Sequence, residues 1–281
     1  MNQGKKKRNT VIPGFGLTLG ITIAMLSMIV LIPLASILVY SLRMSLSEFA
    51  ALFARPNVSQ AFLVSIGCAL IAACVNCLFG TILAWVLVRY DFPGKRLIDG
   101  MIELPFALPS AVAGITLTKM YSDSGAFGMA LERVGIQAAY SKLGIVIAMV
   151  FIGIPFVVRA EQPVLEKLSV SYEEAALMLG ASKTTVFWKV IFPEIMPALL
   201  TGFGLALARG IGEYGSVIYI SGNSEKNGTQ VVSYLIMQKL NSGNVDYEGA
   251  AALALVLLIL SFVMLFFINI IQHVASRRTG V

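Results

Sequence analysis

Arg209 and Glu213 stand four residues apart in the stretch Ala208-Arg209-Gly210-Ile211-Gly212-Glu213-Tyr214-Gly215-Ser216. Four residues is one helical turn, so the two can form an ion pair. The segment around them is apolar and long enough to cross a bilayer. Arg209 follows Pro197 by about twelve residues, roughly 18 Å along a helix. An unpaired arginine at that depth costs about 2.5–3.5 kcal/mol on insertion scales, which favours a partner. Two readings stay open. One is a structural pair; the other is a positive charge beside the path of a dianion.

Other chemistry is poorly supplied. No G-x-x-x-x-G-K-[ST] occurs, and Gly94-Lys95 has Arg89 where the first glycine would stand. The chain therefore has no loop of that kind to cradle ATP phosphates. There is no HExxH, no nucleophile elbow and no Cys/His set at metal-ligand spacing. Cys68, Cys74 and Cys77 share one apolar segment and read as small membrane-helix side chains. His273, the single histidine, follows the last apolar run and reads as interfacial. The sequons at Asn57 and Asn227 read as chance matches. No catalytic residue, metal or cofactor is expected.

The elements that position these residues are membrane spans. The chain has 281 residues, 57% hydrophobic and only 13% charged, against about a quarter charged in an ordinary soluble domain. The charges cluster between long apolar runs, so an all-α integral membrane fold is expected. Six transmembrane helices are predicted, near 16–40, 59–88, 101–118, 143–158, 197–220 and 249–272. The first run is too long for a signal-peptide core and reads as a retained span. Most Lys and Arg fall on one side, including Lys5, Lys6, Lys7, Arg8, Arg89, Arg159, Arg277 and Arg278. That bias places both termini in the cytoplasm. It also accounts for the net charge of +6 without a nucleic-acid partner. A single transmembrane domain, 1–281, is expected, with a basic segment over 1–10.

Span three is interrupted by Pro105 and Pro109, beside Glu103. Each proline removes a backbone donor. Interrupted helices at membrane depth are tolerated where they face protein or a water-filled path. With Arg209 and Glu213, these prolines are the candidate translocation-path residues. Gly202, Ala206 and Gly210 form a small-residue stripe suited to close helix packing, with the partner of a permease dimer as one candidate.

The segment 159–196 differs from the rest. Leu165, Leu168, Tyr172, Ala176 and Leu179 recur at helical spacing. Ser171 and Glu174 suggest a capping box, Gly180 a helix end, Ser182 a second cap and Pro193 a second end. A helix–turn–helix on the cytoplasmic surface is predicted, of the kind that docks on a soluble partner.

Glu174-Ala175-Ala176, three residues, Gly180, then Val190-Ile191-Phe192-Pro193 resembles the EAA loop of ABC-importer permeases. Val190 and Phe192 replace the usual Ile and Leu and stay apolar. Glu103 to Gly114 and Ala208 to Ser216 are similar to sulfate/thiosulfate permeases of the CysT (CysU) type. The resemblance runs from the first span to the last. It implies a type I importer permease that is not itself an enzyme. Glu174, Ala175, Ala176, Gly180 and Pro193 would couple it to a separate ATPase subunit. It also implies a second, related permease chain, a periplasmic sulfate/thiosulfate-binding protein, the bacterial inner membrane with its lipid, and alternating access. A homodimeric molybdate/tungstate permease and, from another class, an ion-coupled secondary transporter are the alternatives.

Overall fold

The computed structural model describes residues 14–279, with side chains as far as Ala275. Lys5, Lys6, Lys7, Arg8 and the side chains of Arg277 and Arg278 lie outside that description. Among the described residues all regular structure is helical. Helix α1 (Phe15–Ser41) is apolar on every side, as suits a helix in lipid. Ser45 and Glu48 then form a reciprocal cap that starts α2 (Leu46–Phe53). Pro56 opens α3 (Pro56–Arg89), 34 residues long. Three shorter helices follow: α4 (Lys95–Ile102), α5 (Leu104–Ala107) and α6 (Ser110–Tyr121). Next come α7 (Ala126–Glu132), α8 (Lys142–Lys167), α9 (Val170–Met178) and α10 (Lys183–Ile211). The chain ends through α11 (Val217–Ile220), α12 (Val232–Asn241) and α13 (Tyr247–Thr279).

Five helices, α1, α3, α8, α10 and α13, are long and apolar enough to cross a membrane. The predicted third span is not a helix of that kind. Pro109 has no N–H to donate, and Leu108 before it is extended (ψ 136°), so the chain breaks between α5 and α6. Packing shows what this broken segment does. Along α3 and α8, Cys68 meets Lys142, Thr81 meets Glu161 and Arg89 meets Leu168. The pairs advance together, so α3 and α8 run parallel. The connection must carry the chain back between them, and α4 to α6 do so.

Two further spans differ from the sequence reading. The fourth does not stop at Val158 but continues through Pro163 to Lys167. The fifth ends at Ile211 instead of reaching Ile220, because Gly212 to Ser216 leave the helix.

Helix α10 runs antiparallel to α3 and α8. A Cβ on Gly202 would lie 2.7 Å from Val157 Cα, and one on Gly210 3.2 Å from Ala69 Cβ. Ala206 is buried between them. The small-residue stripe therefore packs inside this chain and is not a dimer face. Helix α13 runs back along α10, with Gln272 Nε2 donating to Thr201 Oγ1 at 2.8 Å. Tyr40 of α1 packs near Tyr247 of α13, ring centres 6.0 Å apart. Gly14 and Gln272 thus lie toward the end that carries Arg89 and the α9 turn. That end is called the turn end below, and its opposite the far end.

Candidate functional site

The first candidate region is the turn end. Ser169, not Ser171, caps α9; its Oγ accepts the Ser171 N–H at 3.3 Å. Leu165, read as part of the same amphipathic helix, belongs to α8 and is fully buried. Gly180 takes φ +84°, a left-handed conformation that glycine adopts cheaply, and it ends α9. Ser182 Oγ accepts the Thr185 N–H at 3.2 Å and starts α10. Pro193 does not close that helix. It stands in the first turn after a wider stretch, Phe187–Ile191, where bonding shifts to i→i+5. The wider turn lets the helix pass the missing proline donor.

The turn presents its apolar tip outward. Met178 and Leu179 are each 89% exposed. Glu174 and Ala175 are also exposed, whereas Ala176 packs on the cluster of Leu165, Val186 and Ile195. Glu173 turns inward. Its Oε1 lies 2.8 Å from Arg89 Nη2 but out of line for a hydrogen bond, so the link is coulombic. The same guanidinium donates to Leu168 O at 3.1 Å and lies 5.5 Å from the Trp85 ring centre. Arg89 thus ties α3, the end of α8 and the turn together. The sequence gives Arg89 a place in the charge bias but no such role. Only the packing of α3 beside α8 brings it to Glu173.

Beside this hub, Arg159 of α8 pairs with Asp99 (2.8 Å) and Glu103 (2.7 Å), and Gln162 joins them. The cluster pins the start of the broken segment to α8. Glu103 therefore acts as an ion-pair partner here.

The second candidate region is where the two helix interruptions meet. A Cβ on Gly114 would fall 2.5 Å from Ser216 O, and one on Gly215 would fall within contact of Ser110 Oγ. The break at Leu108–Pro109 thus packs against the break at 212–216. Pro109 stands at this junction, while Pro105 begins α5, nearer the Arg159 cluster. Arg209 and Glu213 form their pair at 2.5 Å. Glu213 is buried, and its other oxygen accepts the Ser216 N–H (2.9 Å) and Oγ–H (3.0 Å). The carboxylate therefore also shapes the second break. Gly210 sits level with Ala69, about 20 residues and roughly 30 Å along α3 from Arg89. Arg209 is accordingly in the last turn of α10 yet level with the middle third of α3, in keeping with the depth that counting from Pro197 suggests. The helix begins earlier, at Lys183.

Residues 76–281 match the family model of the binding-protein-dependent transport system inner membrane component. The chain belongs to this family. As such a permease it is a multi-pass membrane protein and not itself an enzyme; ATP hydrolysis resides in a separate subunit. The permease is 43% identical to the sulfate transport system permease protein CysT of Salmonella typhimurium, over 95% of this chain and 96% of that one. The same figures hold for its Escherichia coli counterpart. CysT of Synechococcus elongatus is 44% identical over 91% of each chain. In fold the permease is similar to a bacterial ABC transporter involved in import of the acidic polysaccharide alginate, with TM-score 0.75 and 14% identity over 92% of this chain and 94% of that one. It is also similar to the MetNI methionine ABC transporter, with TM-score 0.60 and 14% identity over 83% and 99%.

Proposed function

We propose that this chain is a membrane-spanning permease subunit of an ATP-driven sulfate/thiosulfate importer. The exposed Met178–Leu179 tip on a capped, glycine-ended turn carries the coupling role. An apolar tip of that kind calls for a partner surface. Full-length similarity to permeases named for sulfate transport supports the substrate. The turn end and both termini face the cytoplasm, in line with the Lys and Arg bias. The ATPase subunit docks there through Glu174, Ala175, Ala176 and Gly180, with Pro193 setting the helix that follows. A second, related permease chain completes the path, and a periplasmic sulfate/thiosulfate-binding protein delivers the anion to the far end. The chain forms one permease domain, with α1 against lipid.

The mechanism follows from the links already described. ATP binding closes the ATPase pair and moves the turn. Arg89 and Glu173 pass that motion to α3 and α8, and the Arg159 cluster passes it to the broken segment. The facing breaks at Pro109 and 212–216 give way more easily than continuous helix, and the path reorients there. Two packings with different affinity for the anion are enough to convert the motion into transport.

The test uses the host with its sulfate uptake genes deleted. The chain and its neighbouring transport genes are returned, and labelled sulfate uptake is measured beside affinity purification of the chain. Sulfate uptake with a copurified ATPase and a second, different permease is the expected result. Leu179→Asp should abolish uptake and ATPase recovery while the chain stays in the membrane. An intact preparation without an ATPase would sink the coupling reading. Copurification of this chain alone with an ATPase, and uptake of molybdate instead, would replace the sulfate heterodimer.

A further inference from the structure

At the far end, just beyond the facing breaks, lies a cavity of about 430 Å³. Its walls come from the second half of α6, the loop after it, the residue before α8's cap, and α11. Ile115, Thr118, Lys119, Ser122, Ser124, Tyr140 and Tyr219 line it. Five of these seven bring a hydroxyl, one an ammonium, and Ile115 an apolar wall. No carboxylate lines it. The nearest acidic residues in sequence, Asp123 and Glu132, line a separate neighbouring cavity instead.

The lining is organised. Lys119 Nζ reaches Ser124 Oγ at 3.4 Å, and Ser124 Oγ is 3.4 Å from Ser122 Oγ. Among the described residues no ion pair includes Lys119, although Arg89, Arg159, Arg209 and Lys239 all have one. Tyr140 holds φ +59°, a left-handed conformation unusual for a bulky side chain. Its N–H donates to Ile220 O at 2.7 Å, which fixes it against α11. Such strain persists only where surrounding structure imposes it, and it clusters at ligand sites.

We propose that this cavity is a transient binding site for a tetrahedral oxyanion dianion at the outer mouth of the path. The proposal rests on the sulfate reading above. A fully deprotonated oxyanion has only acceptors, so it requires donors and rejects carboxylates. The ammonium and the hydroxyls of Ser124, Tyr140 and Tyr219 meet that requirement, while Thr118 and Ser122 donate to Gly114 O (2.7 Å) and Lys119 O (3.1 Å) and must turn to join them. A single lysine is a point charge on a flexible stem, unlike the fixed fork of arginine. A passage site must attract an ion and then release it, and one mobile charge among hydroxyls suits that task. The volume leaves room for the anion with several waters, each of about 30 Å³. The site also sits where a path between the two breaks would open, because α6 and α11 begin at those breaks.

The test compares variants of the whole complex, reconstituted in proteoliposomes with its binding protein and ATPase. Labelled sulfate delivered and ATP hydrolysed are measured together. Lys119→Gln, and separately Ser122→Ala with Ser124→Ala, should lower sulfate delivered per ATP at least fivefold. Binding-protein-stimulated hydrolysis and subunit recovery should stay near wild type. Lys119→Arg should restore a substantial part. Lys142→Gln, a far-end lysine outside this cavity, should change nothing. Unchanged delivery per ATP in Lys119→Gln would overturn the site, and so would an equal loss in Lys142→Gln. Failure of the sulfate reading looks different: the wild-type complex itself would then carry no sulfate or thiosulfate.

Discussion

At the turn end, Arg89 and Arg159 meet carboxylates, amides and carbonyls of the chain itself. In the far-end cavity, Lys119 reaches the hydroxyl of Ser124, and the other polar side chains of the lining are hydroxyls too. The contrast follows from what each end must do. A turn that transmits force needs its charges satisfied internally, so that it moves with the helices it grips. A site that takes an anion needs a charge left available. Helix breaks show the same division. Gly180 breaks the chain in open space, with nothing within 4 Å of where a Cβ would stand. Gly114 and Gly215 are pressed against the opposite break. One break serves a partner and the other serves internal fit.

The largest effect is expected where that internal fit is tightest. Gly114→Ala would place a Cβ 2.5 Å from Ser216 O. Overpacking of this kind costs about 1–3 kcal/mol or more. Transport should be lost and the yield of folded chain should drop, measured by uptake and by thermal unfolding in detergent. Gly180→Ala is the matched substitution at the open break. It suffers only the strain of φ +84°, about 1 kcal/mol, and should keep much of the yield. Equal loss at both positions would break the comparison.

Arg89→Gln comes next. Removing one partner leaves Glu173, whose side chain is 19% exposed, without its cation. The cost is about 2–3 kcal/mol for a charged contact of this burial. Sulfate delivered per ATP should fall several-fold while the subunits still copurify. The exchange of Arg89→Glu with Glu173→Arg should recover part of it. Glu174→Gln, on the exposed side of α9, should leave Arg89 undisturbed. A fall after Glu174→Gln in a readout that reports only the internal link would contradict the assignment of Glu173 as its partner.

The smallest effect concerns Asp246, in the loop before α13 at the far end. Partial burial raises its pKa, but the Lys239 ammonium, the Gly249 N–H and the nearby Arg55 charge outweigh that and hold it below the usual carboxylate range. The sign follows. A lowered folded pKa stabilises above the unfolded value near 4 and is lost as pH falls through the folded pKa. The side chain is 45% exposed, so screening limits the gain to about 0–1 kcal/mol. Thermal unfolding of the wild type should weaken slightly more below pH 4 than that of Asp246→Asn. An acid sensitivity as large as the Arg89 effect would show that far-end ion pairs also bear load.

Much of the fold is legible in the residues. Apolar runs mark α1, α3, α8, α10 and α13, because a bilayer leaves few other ways to satisfy a backbone. Pro109 marks the break in the third crossing, since proline lacks a donor wherever it stands. Gly180 and Ser182 mark the turn, because φ preference and capping are local properties. Local rules fail where two signals compete. Pro193 reads as an end, yet a wider turn lets the helix continue. Gly202, Ala206 and Gly210 read as a close-packing face, but sequence cannot say against what.

The sequence by itself determined an all-helical membrane chain, its break at Pro109, and a turn with an EAA pattern. Spacing and composition suffice for those, because each depends on residues within a few turns. Tertiary structure alone decided that Arg89 holds Glu173, that the breaks at Pro109 and Gly215 face one another, and that Lys119 stands among hydroxyls. The first two join residues about 80 to about a hundred positions apart, and the third brings Tyr140 and Tyr219 to Lys119 and its sequence neighbours Ser122 and Ser124. They exist because α3 and α8 pack in parallel, which forces a broken return crossing between them.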